Sequence, residues 1–241
     1  MRAETRHQLK EDRFSRVTIA TAGNAVHWTV EHQRKLIGAA VVLLVIVGAG
    51  IGIWYYQQQQ NDKANVVLGQ ALRTAESPLR TEGAAADPNV PSYATAKERA
   101  DAARTQFQSV INNYPHTTAA DIARYFNGTV EIKMGNYAAA ENDLKPVTSV
   151  RNDDLSSLAK FALASVYRNT NRPKDAINLY NEIINKPSAT VGKSTAQMEL
   201  AATYEAMQQP ADAKRIYEQV QKDNATGQAA QMAATKLQGL K

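Results

Sequence analysis

The sequence predicts an all-α protein: a single transmembrane helix followed by an α-solenoid of about three helical hairpins, with an N-terminal long-looped hairpin and a C-terminal capping helix. Three observations carry that expectation. The run Leu36–Ile53 is apolar and uncharged over a length that suits a bilayer span. After it, a pattern of Leu, small residue and Tyr recurs at a fixed interval of 37 residues. Ala, Gln and Lys are abundant while Gly (12) and Pro (8) are few, a balance that favours helix because Gly and Pro break it.

The apolar run ends in Trp54-Tyr55-Tyr56. Taken together, Leu36–Tyr56 at ~1.5 Å rise per residue spans ~31 Å, the thickness of a hydrocarbon core. The terminal aromatics suit the water–lipid boundary, where an amphipathic ring meets both of its environments. A cleaved signal peptide fits poorly, because 35 residues precede the run and bulky Trp54, Tyr55 and Tyr56 stand where small residues are needed. The net charge is +5, with seven Lys/Arg against four acidic residues in Met1–Lys35 and 21 against 19 thereafter. Cationic flanks stay on the cytoplasmic side, so Arg34 and Lys35 set the N-terminus inside and the large domain outside. Gly48 and Gly52 at GxxxG spacing would permit close approach of two such helices, without fixing an oligomeric state. The tail, with Trp28 among basic and apolar residues, either lies at the membrane surface or extends the helix inward. Its segment Arg2–Phe14 is a candidate for interactions of its own.

Five segments are expected: a basic cytoplasmic tail 1–35, the membrane helix 36–56, a membrane-proximal unit 57–117, repeats over 118–225, and a cap over 226–241. The membrane-proximal unit begins with a helix over Gln57–Ala75, where Ala64, Val67, Leu68, Ala71, Leu72 and Ala75 fall on one face. No breaker separates it from Tyr56, so it continues the membrane helix and would keep the domain close to the bilayer. Ser77–Ser92, rich in Pro, Gly and Ala, reads as a long mobile loop. A second helix follows within Ala96–Tyr114, with Ala103, Phe107, Val110 and Pro115 as its signature.

The repeats rest on spacing. Leu163-Ala164, Tyr167, Pro173, Ala176 and Tyr180 recur as Leu200-Ala201, Tyr204, Pro210, Ala213 and Tyr217, each 37 residues on. A looser copy, Gly128, Gly135, Tyr137, Ala140 and Leu144, lies 36 residues earlier, with Glu131 in the place of the Tyr. Leu, a small residue and Tyr at these intervals share one helical face. Turns are expected at Gly135-Asn136, Asn171-Arg172-Pro173 and Gln208-Gln209-Pro210. No such hairpin buries its own apolar face, and stacking completes the core.

The pattern Leu-Ala-x-x-Tyr, turn, Ala-x-x-x-Tyr resembles the tetratricopeptide repeat, although Arg124, Lys160 and Gln197 stand where that family has Trp. The layout of tail, single span, membrane-proximal helix and three repeats resembles the bacterial ancillary SecYEG translocon subunit family. Phe107–Pro115 and Ala119–Tyr125 are also similar to repeats of cell-division coordinator and outer-membrane assembly lipoproteins. The resemblance to the translocon subunit family implies a bacterial inner-membrane protein with its large domain in the periplasm. It implies protein partners such as the Sec translocon, periplasmic chaperones or client polypeptides, besides the lipid bilayer. The expected function is a membrane-anchored scaffold for protein–protein interactions. The alternatives are an envelope regulator working through its cytoplasmic tail, and an envelope-assembly or cell-division coordinator.

No chemistry-bearing motif competes with that reading, so no enzyme activity, catalytic residue, cofactor or metal is expected. There is no cysteine. His7, His27, His32 and His116 form no ligand pair at helical spacing. Val191-Gly192-Lys193-Ser194 ends like a phosphate-binding loop, but Pro187 stands where its first glycine belongs; Ser194 and Gln197 read better as a capping box. Asp153-Asp154 is expected to cap the helix beginning near Leu155, and the remaining carboxylates to lie on polar faces. The outer domain lacks a basic patch with interleaved aromatics, so nucleic acid is not an expected partner. In a repeat stack the first helices line the concave face. Its candidate binding residues are Tyr125, Thr129 and Lys133; Phe161, Ser165, Arg168 and Asn169; and Met198, Ala202 and Glu205, each able to pack as well as bind.

Overall fold

A computed structural model describes residues 32–80, 92–223 and 226–240. The chain divides into two compact units, Met1–Gln58 and Gln59–Lys241. In the first, the described residues are helical from Gln33 and belong to α1, Gln33–Glu76. This helix passes Tyr56 and Gln57 unbroken, as the missing breaker predicts. Among the described residues it is the one helix long and apolar enough to cross a membrane. The side chains of 37–56 stand exposed, Leu44 at 69% and Trp54 at 66%, so they fill no protein core. The expectations for Arg2–Phe14, His7, His27 and Trp28 fall outside the described residues.

Among the described residues, the second unit holds the end of α1 and eight further helices: α2 Ala96–Asn113, α3 Thr118–Lys133, α4 Tyr137–Val147, α5 Asp153–Asn169, α6 Pro173–Asn185, α7 Lys193–Ala206, α8 Pro210–Asp223 and α9 Gln228–Gly239. From α2 onward, sequence neighbours pack on one another; α3 also meets α5, and α7 meets α9. The described residues form no strand, only one isolated bridge between Leu79 and Tyr93.

One side-chain motif runs through the stack. Ala103 and Phe107, Ala140 and Leu144, Ala176 and Tyr180, and Ala213 and Tyr217 are all essentially inaccessible, at 0–1% exposure. Each pair lies four residues apart on the second helix of a hairpin, where the Ala lets the facing helix approach and the large residue fills the gap. The end of α1 joins this core through Ala64, Leu68 and Ala71, packed with α2 and α3 around Phe107, Val110 and Ala123. Fully burying a side chain such as Phe107 is worth about 2–3 kcal/mol, so this cluster holds the end of α1 to the repeats across the 19 residues between Glu76 and Ala96.

The three hairpin turns share one geometry. Gly135, Asn171 and Gln208 have φ of 80°, 58° and 57°. The next residue's N–H reaches back five places: Asn136 to Glu131 O at 2.9 Å, Arg172 to Tyr167 O at 2.8 Å, Gln209 to Tyr204 O at 2.9 Å. A left-handed residue followed by this long back-bond is the Schellman C-cap, and it satisfies carbonyls that the helix end would orphan. Pro173 and Pro210 then stand at the first position of α6 and α8, where a missing N–H costs nothing.

Four expectations need correction. Ser194 and Gln197 make no capping box: α7 starts one residue earlier at Lys193, its N-cap Gly192 has no side chain, and Gln197 is buried at 1% exposure. The cap of α5 is Asn152, whose side chain accepts from Leu155 N at 3.1 Å. Asp153 and Asp154 sit in the first turn, and Asp154 Oδ1 instead accepts from Ala189 N and Thr190 N of the α6–α7 connection. Not every carboxylate lies on a polar face, since Glu131 is 2% exposed inside the first hairpin. Finally, the α1–α2 loop is tied at its ends: Arg80 N donates to Tyr93 O at 2.8 Å, Tyr93 N to Pro78 O at 3.3 Å, and Arg99 to Ser77 O at 2.8 Å. Its middle, 81–91, lies outside the described residues.

Candidate functional site

The first helices of the hairpins, α3, α5 and α7, carry the ten candidate residues at intervals of three and four, which sets each group along one helical face. None of the ten is fully buried. The structure separates them into groups with different surroundings.

On α3, Tyr125, Thr129 and Lys133 border one cleft of about 710 Å³. Its apolar wall is built by Leu72 and Ala75 of α1, Ala100, Ala103 and Phe107 of α2, and Phe126, Val130 and Met134 beside the candidates. Phe107 and Phe126 stack with centroids 6.0 Å apart, and Tyr125 meets Phe126 edge-on at 5.2 Å. Partial burial pushes the Tyr125 phenol above its ordinary pKa, so the ring stays neutral. The Thr129 hydroxyl donates to Phe126 O at 2.7 Å. Lys133 lies exposed in the last turn of α3.

On α5 the polar candidates are already engaged. Arg168 forms an ion pair with Glu199 of α7, and Asn169 Nδ2 donates to Ser165 O at 2.8 Å. Phe161 packs edge-on against Tyr180 at 5.9 Å. Burial raises the Tyr180 phenol, although its bond to the Arg168 guanidinium works the other way. On α7, Met198 is half-buried against the main core. Ala202 is half-buried as well. Glu205 accepts from Lys236 of α9 at 3.5 Å and lines a second cavity of about 520 Å³ with Gln208, Pro210, Thr235, Lys236, Gly239 and Leu240. The ten residues therefore do not share one pocket. Three meet in the cleft, one borders the C-terminal cavity, and Arg168 ties α5 to α7 through Glu199.

Residue-by-residue reasoning missed Phe126, Val130 and Met134, half-buried apolar residues spaced by four along α3 and its C-cap beside the candidates. That spacing was a readable signal. Their contribution, with that of Leu72 and Ala100, depends on how α1 and α2 approach α3. The stretch resembling a phosphate loop is spent structurally: Val191 is buried with Ile183 and Ala196, and Lys193 Nζ donates to Asp223 at 2.6 Å. Lys193, followed by the Gln197 amide, holds the Asp223 carboxyl below the usual range. No group of three or more His, Asp or Glu able to hold a metal occurs among the described residues.

No curated protein sequence matches the chain. Among solved structures, a tetratricopeptide repeat protein from Parabacteroides merdae ATCC 43184 is similar at 16% identity and a TM-score of 0.49. That match covers 60% of this chain and 54%, about half, of the other. The sequence pattern of the tetratricopeptide repeat-like domain matches residues 27–241, and the chain belongs to that family.

Proposed function

We propose that this protein is a membrane-anchored scaffold that binds protein segments along the face built by α3, α5 and α7. Its apolar helix would hold the repeats at the outer face of a bacterial inner membrane, beside the Sec translocon or periplasmic chaperones. A repeat domain of this family is a protein-interaction fold, and repeat stacks of this kind are typically non-catalytic. The observation that carries the reading is the cleft beside Tyr125, an apolar concavity of ligand scale, unfilled by the described residues, on a helix whose other face completes the core.

The anchor reading rests on α1 and on the cationic flank Arg34-Lys35. Protease added to spheroplasts should degrade the C-terminal repeats and spare an N-terminal epitope; protection of the repeats would reverse the orientation. Partner identity is tested by affinity capture in mild detergent, with quantitative identification of what co-purifies. Translocon or chaperone subunits enriched over a control carrying α1 alone support the role. Their absence across independent captures would remove it.

A further inference from the structure

The cleft has a chemical character that narrows its occupant. Its wall is hydrocarbon and aromatic, from Leu72, Ala100, Phe107, Phe126, Val130 and Met134, and most of these side chains are only half-buried. They therefore keep apolar area that a ligand could cover. Among the described residues around this wall, Lys97, Arg99 and Lys133 stand against the single carboxylate of Glu76. Lys97 is neutralised by Asp101 at 2.8 Å. Arg99 spends one N–H on the neutral carbonyl of Ser77, and among the described residues neither Arg99 nor Lys133 pairs with a carboxylate. Cations at the rim of a low-dielectric concavity favour an anionic partner and repel a cationic one.

We infer that the cleft between α1, α2 and α3 is a docking site for a peptide segment that places an apolar side chain against Phe126 and Val130 and a flanking carboxylate near Arg99 and Lys133. This inference rests on the scaffold reading above and specifies the partner's chemistry. An apolar side chain gains by covering the wall, and the carboxylate supplies direction, because one end of the segment then differs from the other.

The test uses the full-length chain in lipid nanodiscs and a phage-displayed random-peptide library as the probe. Two variants address the two halves of the inference: Lys133→Glu changes an exposed rim charge, and Thr129→Trp fills the cleft. Helicity and thermal unfolding establish that each variant is folded. The expected result is enrichment of peptides with a large apolar residue flanked by Asp or Glu. Their affinity should fall about tenfold or more with either variant, and Lys133→Glu should shift selection toward basic flanks. Peptides lacking acidic flanks would overturn the inference. So would binding indifferent to both variants but lost with Phe161→Ala, an outcome that leaves the wider scaffold reading standing. Failure to enrich any peptide, or competition only by a second copy of this chain, would overturn the cleft assignment; the former would count against the scaffold reading as well.

Discussion

Leu144 occupies the space that a side chain at residue 128 would need: a Cβ built on Gly128 would lie 2.6 Å from Leu144 Cγ and 2.9 Å from Cδ2. The other hairpins have Ala164 with Tyr180 and Ala201 with Tyr217 at these places. The first hairpin therefore reaches the same close approach with a different division of volume. In an open helix, Gly→Ala gains about 1 kcal/mol from propensity. Here Leu144 is fully buried and has nowhere to move, so overpacking costing about 1–3 kcal/mol wins. Gly128→Ala is expected to lower stability by a net of up to ~2 kcal/mol, measured by denaturant unfolding. Adding Leu144→Ala to it should cost less than the sum of the two single changes.

The repeated C-cap predicts a graded series. Gly135→Ala forces a β-carbon into the left-handed region and should cost about 1 kcal/mol. Gln208→Gly relieves the same strain and should raise stability by up to ~1 kcal/mol. Asn171→Gly should change little, because Asn tolerates that region. Thermal midpoints of the three variants check the order, and a gain at Asn171 larger than at Gln208 would contradict it.

Asp143 supplies a pH-dependent weakness in the first hairpin. It accepts from Asn127 Nδ2 at 2.6 Å, and burial pushes its carboxyl above the usual range. The Asn127 bond and Arg124 pull it down, while the Glu131 charge adds to the rise. A raised folded-state pKa means that Asp143's contribution to stability is fully present below the unfolded value, near pH 4, and is lost as pH rises through the folded value. Asp143→Asn should therefore match wild type at about pH 3 and exceed it modestly, by less than ~1 kcal/mol, at pH 7. Thermal unfolding across that range checks the sign.

The joint between the first two repeats depends on a compact cluster. Arg172 lies over the Tyr167 ring at 4.1 Å and donates to Glu141 at 2.8 Å, while Tyr167 OH donates to the other Glu141 oxygen at 3.3 Å. Arg172→Ala removes the cation–π contact and a partly exposed ion pair together, for an expected loss of about 1–2 kcal/mol. Arg172→Lys should recover only part of it, since an ammonium lacks the planar fork. Urea midpoints of the two variants test that ranking.

The second and third hairpins were legible because Ala176 with Tyr180 and Ala213 with Tyr217 keep both residue type and interval. The first was less so. Asn127 and Glu131 take the places of Leu163 and Tyr167, and a buried carboxylate can be placed only once Asn136 Nδ2 is seen 2.7 Å away. Gln197 escaped for a related reason: its partner, Asp223, lies outside the repeat interval, whereas Asp154 meets Thr190 36 residues on, at the place where one repeat joins the next. The candidate face followed from repeat position alone. The cleft did not, because its wall joins α1 to α2 and α3 across the 19 residues between Glu76 and Ala96.

The most direct test of the scaffold account is site-specific photo-crosslinking in growing cells. A benzophenone amino acid replaces Tyr125 at the cleft or, as a control, Lys214, which is exposed on α8. The account predicts a discrete polypeptide adduct from position 125, absent from position 214 and lost when Thr129→Trp fills the cleft. Equal labelling from both positions, or adducts at 125 that persist with the cleft filled, would contradict it.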